Sequence, residues 1–229
     1  MKKKFSKRYK KIFETSKNSK IDNFDEALKK VKTNCTTKFD ESIDVSFKLN
    51  LKQKKDEAGI RTNVNLPNGN GKKVRVAVLC EDSKVKEAKD SGADTCGSEN
   101  LISDINSGKI NFDKLISTPA MMPKMGKLGK ILGPKGLMPN PKLGTVTNDV
   151  KSAVKAIKSG QIEIKNDKDG NLGASIGKKS FSDKKIKENY EAIIQSIQKE
   201  KPNGIKGDFI LSAFLTSTMG VSYKLKLKG

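Results

Sequence analysis

The sequence of 229 residues contains no histidine and no tryptophan, and it has only three cysteines. Without histidine, the protein lacks the commonest general base and the commonest protein ligand of metal ions. Cys35, Cys80 and Cys96 form no CxxC pair, so their spacing favours reduced thiols over a zinc site or a disulfide framework. The sequence therefore predicts neither a metal centre nor a cofactor.

Long apolar runs are missing as well. No stretch approaches the roughly eighteen consecutive apolar residues of a membrane-spanning helix. The basic N-terminus, MKKKFSKRYKK, is followed by no apolar region of the kind found in secretory signals. Hydrophobic residues nevertheless make up 34% of the chain, which is enough for a buried core. These features predict a folded cytoplasmic protein with no membrane partner.

Acidic residues are outnumbered by basic ones, 26 against 47, which gives a net charge of +21. A field of this sign attracts phosphate backbones. Only three of the basic residues are arginines, and lysine suits phosphate contacts better than bidentate reading of bases. An A/T-rich genome would account for the choice of lysine but not for the net sign. The composition therefore predicts a nucleic-acid partner held mainly through its backbone.

Two kinds of apolar pattern divide the chain. Near both chain ends, segments such as DVSFKLNLK alternate apolar and polar residues, which is typical of antiparallel strands with one exposed face. In the middle, continuous apolar strands such as VRVAVLC alternate with short helices, which predicts a parallel α/β layer. We therefore predict a discontinuous α+β domain, residues 1–67 and 159–229, with an α/β domain, residues 68–158, inserted in it.

The discontinuous domain is the better candidate for the nucleic-acid surface. It carries 31 basic against 17 acidic residues, whereas the insert carries 16 against 9. Within it, the segments QIEIK and NLGASIG flank the turn NDKDG, which predicts that the second segment returns against the first as a hairpin.

The glycine-rich segments do not form a phosphate-binding motif for nucleotides. Two of the Gly-Lys pairs, at 71–72 and 129–130, lack both the glycine five residues earlier and the following Ser or Thr of a P-loop. No GxGxxG follows the first strand of the insert, and no histidine is available to activate serine or cysteine. We therefore expect no enzyme and no small-molecule substrate. A nucleotide-dependent enzyme stays open as an alternative that ATP or GTP binding would support.

Two short segments of the discontinuous domain combine hydroxyls with a large side chain. TSTMG, residues 216–220, is either a polar hairpin turn or a surface on which hydroxyls, peptide groups and Met219 contact RNA. TTKF, residues 36–39, has a comparable composition, and Phe39 is either a core residue or a stacking platform.

The segment GKLGKILGPKGLMPNPKLGTV, residues 126–146, is rich in glycine and proline yet contains several large apolar residues. It is predicted to be neither a long helix nor a central strand. It is either an irregular packed loop or such a loop that also projects its lysines from a rigid platform.

The same segment, read from Leu128 to Thr147, resembles the signature of the large-subunit ribosomal protein L-one family of bacterial type. The resemblance extends along nearly the whole chain and includes TTKFDESIDV, VRVAV, INFD, IKNDKDG, GKKSF and TSTMG. It implies a split-β α+β domain from both chain ends and an inserted Rossmann-like three-layer α/β domain.

The resemblance also implies a function. The family is a structural constituent of the large ribosomal subunit, where it binds rRNA through the discontinuous domain to form the mobile side stalk. It assists release of deacylated tRNA from the exit site and represses translation of its own operon mRNA. Carried over by position, the rRNA-contacting residues are Lys38, Phe39, Ser42, Lys165, Asn166, Lys168, Lys178, Thr216, Ser217, Thr218, Met219 and Gly220. The lysines expected to face tRNA are Lys124, Lys127, Lys130, Lys135 and Lys142.

The chain departs from the family pattern at four places in or near the discontinuous domain. DEAGIRT stands at Asp56–Thr62, Asn68 and Gly173 each replace a usual histidine, and Val221 with Ser222 replaces a glycine-containing pair. These departures bear on individual RNA contacts and on repression of the operon. A free-standing repressor whose main target is mRNA is therefore the second RNA-binding alternative, and sedimentation with ribosomes distinguishes the two.

Overall fold

The computed structural model describes residues 5–16, 22–51, 59–202 and 207–227. Its helices are α1 Lys7–Ser16, α2 Phe24–Asn34, α3 Val85–Asp90, α4 Glu99–Asn106, α5 Met122–Met125, α6 Gly129–Leu132, α7 Val150–Lys158 and α8 Asp183–Lys199. Its strands are β1 Ser42–Leu49, β2 Arg61–Asn65, β3 Val76–Leu79, β4 Thr95–Gly97, β5 Lys114–Ser117, β6 Gln161–Lys165, β7 Asn171–Lys178, β8 Ile210–Ser217 and β9 Tyr223–Leu225. Part of the departure at Asp56–Thr62 lies outside the described residues.

The chain divides into two compact units, residues 1–71 with 162–229, and residues 72–161. Mixed helices and sheets make up both units, so the prediction of a fold that combines α and β elements is confirmed. The exact domain boundaries that the sequence indicates, at 67/68 and 158/159, stay a prediction. Among the described residues, no helix is long and apolar enough to cross a lipid bilayer.

The first unit is built on an antiparallel sheet with the strand order β7-β1-β8-β9. The alternation in β1 buries Val45, Phe47 and Leu49 on one face, against α2 and α8, while Ser46 on the opposite face is exposed. Alternation with period two produces this division because successive side chains of a strand point to opposite faces. The sheet therefore has one face in the core and one face in solvent.

Helix α8 covers the buried face with side chains at helical spacing, Ile186, Tyr190, Ile193 and Ile197. The Tyr190 ring stacks on Phe24 with a centroid distance of 4.2 Å. Burial raises the pKa of Tyr190 to about 12, so the phenol stays neutral. Each such buried side chain stabilises the fold by about 1.5–3 kcal/mol relative to an exposed one.

Strand β6 does not form the predicted hairpin with β7. It pairs with β2 in a separate two-stranded sheet, whereas β7 pairs with β1, and only the bridge between Asn166 and Leu172 joins the two segments. The predicted hairpin is therefore wrong except for the turn itself. The apolar face of β1 is completed by Leu172 and Ile176 of β7, and this packing outweighs the local preference for a hairpin.

The second unit contains a parallel sheet with the strand order β4-β3-β5. All four residues of β3 are buried, and separate apolar clusters lie on its two faces. One cluster includes Leu128 and Leu132, from the glycine-rich segment 126–146, which folds into short helical turns. The other includes Val150 and Val154 of α7.

Candidate nucleic-acid interface

Most of the predicted RNA-contacting residues meet where β8 ends and β1 begins. Ile43 pairs with Ser217, and Ser42 pairs with Lys178 on the other neighbouring strand. We call this region the loop end of the four-stranded sheet. Its predicted residues are Lys38, Phe39, Ser42, Lys178, Thr216, Ser217, Thr218, Met219 and Gly220.

The side chain of Thr218 fixes the loop to β1. Its Oγ1 accepts a hydrogen bond of 3.0 Å from the Ser42 backbone N–H, and its own N–H donates to the Ser42 carbonyl at 3.0 Å. These bonds continue the pairing of the two strands past the end of β8. The loop is thus held in one conformation before any ligand arrives.

A carboxylate that the predicted site does not include lies beneath this loop. Glu41 is fully buried and accepts hydrogen bonds from the Met219 backbone N–H at 3.1 Å and from the Thr37 hydroxyl at 2.9 Å. Burial alone would raise its pKa, but the surrounding hydrogen bonds hold the pKa of Glu41 below its ordinary value. The chain motif TTKFDESIDV contains Glu41, yet nothing local marks it as a buried anchor.

Arg8 of α1 is a second residue that the sequence does not single out for the site. Its guanidinium donates to the Met219 carbonyl at 2.7 Å and to the Thr36 hydroxyl at 3.2 Å. The signal in the sequence is slight: Arg8 stands in a run of lysines and is the first arginine of the chain. A planar guanidinium can bond two acceptors at fixed angles, which a lysine ammonium does less well.

Gly220 comes close to the side chain of Ser217. A Cβ built on Gly220 would lie 2.4 Å from Ser217 Oγ, which is well inside contact distance. Ser217 Oγ is itself buried and helps to lower the pKa of Glu41. A side chain at position 220 therefore requires Ser217 Oγ to move.

Two large apolar side chains at the loop end face solvent. Phe39 is 54% exposed and Met219 is 49% exposed. Phe39 is thus a surface residue, and the alternative that placed it in the core is wrong. Next to Met219 lies a shallow cleft, which is lined by Phe5, Ser6, Arg8, Tyr9, Thr218, Met219 and Gly220.

The remaining predicted rRNA contacts lie at the opposite end of the sheet. Lys165 is the last residue of β6, and Asn166 and Lys168 lie in the connection to β7. We call this region the turn end, and Lys48 of β1 pairs with Asn171 there. Ser42 and Lys48 are six residues apart on β1, so at about 3.4 Å per residue the two ends lie about 20 Å apart. The single predicted site is therefore two groups of residues.

Asp167 organises the turn end. Its Oδ1 accepts hydrogen bonds from the backbone N–H groups of Asp169 at 2.9 Å and of Asn171 at 2.7 Å. Hydrogen bonds from Asn171 hold the pKa of Asp167 below its ordinary value. Lys165 and Lys168 are exposed beside this turn, so their ammonium groups can meet phosphates.

The five lysines expected to face tRNA all lie in the second unit and are exposed, namely Lys124, Lys127, Lys130, Lys135 and Lys142. Lys124 forms an ion pair of 2.7 Å with Glu99. Of the apolar residues between these lysines, Met125, Leu128 and Leu132 are buried in the core of the unit, and Ile131, Leu137 and Met138 are partly buried against it. Segment 126–146 is therefore packed and carries exposed lysines, while a contact of these lysines with tRNA stays a prediction.

Comparison with known proteins gives a consistent result along the chain. The model of the ribosomal protein L1p/L10e family matches residues 28–221. The large ribosomal subunit protein uL1 of Pelagibacter ubique (strain HTCC1062) is 61% identical over 223 residues, which is 97% of each chain. The uL1c protein of Phaeodactylum tricornutum (strain CCAP 1055/1) is 46% identical over 98% of each chain. The uL1 protein of Rickettsia akari (strain Hartford) is 47% identical over 95% of this chain and 92% of its own.

Proposed function

The chain belongs to the ribosomal protein L1p/L10e family, and on that premise we propose that it binds large-subunit rRNA through both ends of its four-stranded sheet. Membership of this family makes it a bacterial-type ribosomal protein and not a nucleotide-dependent enzyme. The ribosome of the cytoplasm is its place of action. The two compact units correspond, in this proposal, to a split-β domain that binds rRNA and an inserted Rossmann-like domain of three layers.

One observation carries the proposal: the 216–220 loop is held in place by residues from two separate parts of the chain, α1 and the start of β1. Arg8, Glu41 and Ser42 each bond to Thr218 or Met219. A surface fixed in this way offers peptide groups and hydroxyls at set positions, which suits recognition of the shape of a folded RNA. The surrounding lysines supply attraction that depends on salt.

The exposed lysines of the second unit support a further part of the proposal, contact with deacylated tRNA as it leaves the exit site. An array of exposed ammonium groups on one unit favours a phosphate backbone. We also propose that the rRNA surface binds a similar fold in the mRNA of the protein's own operon and so represses its translation. Both activities use surfaces already described and need no cofactor.

Crosslinking in living cells, followed by sequencing of the bound RNA, tests the main proposal. Large-subunit rRNA should dominate the recovered RNA, and the protein should sediment with large subunits. Recovery of mainly mRNA, with the protein sedimenting free of ribosomes, would instead identify a free-standing repressor. Recovery of neither RNA would contradict an RNA-binding function altogether.

The contribution of the loop end can be measured with one pair of variants. Met219→Ala should weaken binding to large-subunit rRNA, while Leu211→Ala should not, although Leu211 is similarly exposed, at 52%. Thr218→Val is a poorer probe because it also removes the acceptor for the Ser42 N–H. If the two alanine variants bind large-subunit rRNA equally well, Met219 does not belong to the interface.

A further inference from the structure

Three aromatic side chains form a cluster at the N-terminal helix. Phe5 lies 5.1 Å from Tyr9 and 6.2 Å from Phe13 between ring centroids, and Tyr9 lies 6.2 Å from Phe13. Phe5 is 46% exposed and Phe13 is 41% exposed, so neither serves mainly as a core residue. The role of anchoring the helix falls to Ile12, which is buried in the main cluster of the first unit.

The cluster has a fixed position beside the loop end. Ser6 Oγ accepts a hydrogen bond of 3.2 Å from the Tyr9 N–H and so caps the start of α1. Arg8, two residues further along, bonds to the Met219 carbonyl at 2.7 Å. Phe5 and Tyr9 therefore line the same shallow cleft as Thr218, Met219 and Gly220.

We propose that this cleft is a stacking pocket that receives one unpaired nucleobase of the bound RNA, with the Phe5 ring on one side and Met219 on the other. The inference rests on the proposed RNA-binding function and adds to it a recognition element on α1. A base fits because it is planar, apolar on its faces and attached to a charged backbone. The aromatic rings and the Met219 thioether of the pocket can contact the flat, apolar faces of such a base.

The charge around the cleft favours a nucleotide over a protein segment. The first acidic residue of the chain is Glu14, and seven basic residues precede it. Four of the seven, Lys7, Arg8, Lys10 and Lys11, belong to α1. Aromatic faces next to a dense positive charge are the combination that proteins use to hold unpaired nucleotides. An apolar protein partner would need no such charge.

The test compares two variants of the full chain, Phe5→Leu and Phe13→Leu. Each keeps an apolar side chain of similar bulk and loses the aromatic face, but only Phe5 lines the cleft. Binding is measured to protein-free large-subunit rRNA purified from the cells that make the protein, over a series of salt concentrations. We expect Phe5→Leu to lower the affinity about tenfold and Phe13→Leu to change it less than twofold.

A stacking contact also predicts an unchanged salt dependence for Phe5→Leu, since no phosphate contact is lost. Zero-length ultraviolet crosslinking of the wild-type complex, with mass-spectrometric mapping, should place nucleotide adducts on Phe5, Tyr9 or Met219. Urea unfolding of both variants checks that each is folded.

The outcomes separate this inference from the proposed function. If the wild-type protein binds the rRNA no better than an unrelated RNA of equal length, the proposed function fails and the pocket fails with it. If the wild type binds specifically but Phe5→Leu and Phe13→Leu have equal affinity, the pocket alone is overturned. Normal rRNA affinity of Phe5→Leu with reduced incorporation into subunits would show a protein contact instead, which also overturns it.

Discussion

The two ends of the four-stranded sheet are each organised by one carboxylate, but in different surroundings. At the loop end, Glu41 is fully buried and bonds both to nearby Thr37 and to Met219, which lies 178 positions away. At the turn end, Asp167 is exposed and bonds to residues two and four positions further along. Both carboxylates have a lowered pKa because hydrogen bonds favour the charged form.

The difference in burial separates two roles. A buried, multiply bonded carboxylate links the conformation of its loop to the stability of the whole unit, since removing its charge leaves buried donors without a strong acceptor. An exposed one shapes only its own turn, because water replaces the lost bonds. We therefore expect shape recognition to depend on the loop end, and salt-dependent attraction to depend more on Lys165 and Lys168 at the turn end.

The largest effect is expected for Glu41→Gln. The amide oxygen can accept a hydrogen bond from Met219 or from Thr37, but not from both. The NH₂ group would face the other donor and could not bond to it. The free energy of unfolding in urea should fall by about 1–3 kcal/mol, and affinity for large-subunit rRNA should fall with it. Asp40→Asn is the matched control, because Asp40 is exposed and its bonds to Ser180 lie on the surface. Equal stability of the two variants would contradict the anchoring role.

The same variant should change the response to acid. Because the pKa of Glu41 is lower in the folded protein than its ordinary value near 4.5, its ionised form stabilises the fold. That contribution is complete above pH 4.5 and is lost as the pH falls through the lower, folded-state pKa. Urea titrations from pH 7 to pH 3 should show the wild type losing its advantage over Glu41→Gln at acidic pH. If the difference in unfolding free energy between the two proteins is the same at every pH, ionisation of Glu41 does not contribute to stability.

Gly220→Ala tests the tight packing of the loop end. The new methyl would lie 2.4 Å from Ser217 Oγ and overlap it, and relief of such a clash typically costs about 1–3 kcal/mol. Ser217→Ala removes the Oγ, which also lowers the pKa of Glu41, and leaves the Ser217 Cβ at 3.6 Å from the new methyl. On that background Gly220→Ala should cost little further stability or RNA affinity. Thermal unfolding of Gly220→Ala, Ser217→Ala and the double variant measures this. Additive losses would show that the close approach is not the cause.

At the turn end, the double variant Lys165→Ala with Lys168→Ala should alter salt dependence. Loss of two phosphate contacts should make the plot of log binding constant against log salt concentration shallower by about 1.4–1.8. Met219→Ala should lower affinity without changing this slope. Lys184→Ala with Lys185→Ala, which removes two exposed lysines of α8, should leave the slope unchanged. If Met219→Ala changes the slope as much as the lysine pair does, the division of roles between the two ends is wrong.

The smallest effect is expected for Asp167→Asn. The amide oxygen can still accept from the backbone of Asp169 and Asn171, and the turn lies in solvent. Stability in urea should therefore change less than in Glu41→Gln. A loss as large as that of Glu41→Gln would mean that the turn end is also linked to the core.

Periodicity in the sequence predicts the elements that bury one face. The alternation of Val45, Phe47 and Leu49, and the helical spacing of Ile186 to Ile197, appear in the structure with those residues buried. The motif TSTMG likewise marks residues 216–220, which lie together at the loop end. In both cases the information lies within a short segment, where the geometry of a strand, helix or turn decides which side chains share a face.

The parts that the sequence does not predict depend on contacts between distant segments. Arg8 and Glu41 have no local feature that distinguishes them from other charged residues, and only the fold brings them to Met219. The pairing of β7 with β1 in place of β6 is likewise set by packing across the sheet. The separation of Lys165 and Lys168 from the loop end follows from that pairing, so a motif could not reveal it.

The bond from Arg8 to Met219 joins residues 211 positions apart, and β8 pairs with a strand made long before it. Closing a loop of that length costs conformational entropy, and contacts between such distant residues form slowly. We therefore expect the loop end to form late in folding, once the two separated segments of the first unit have met.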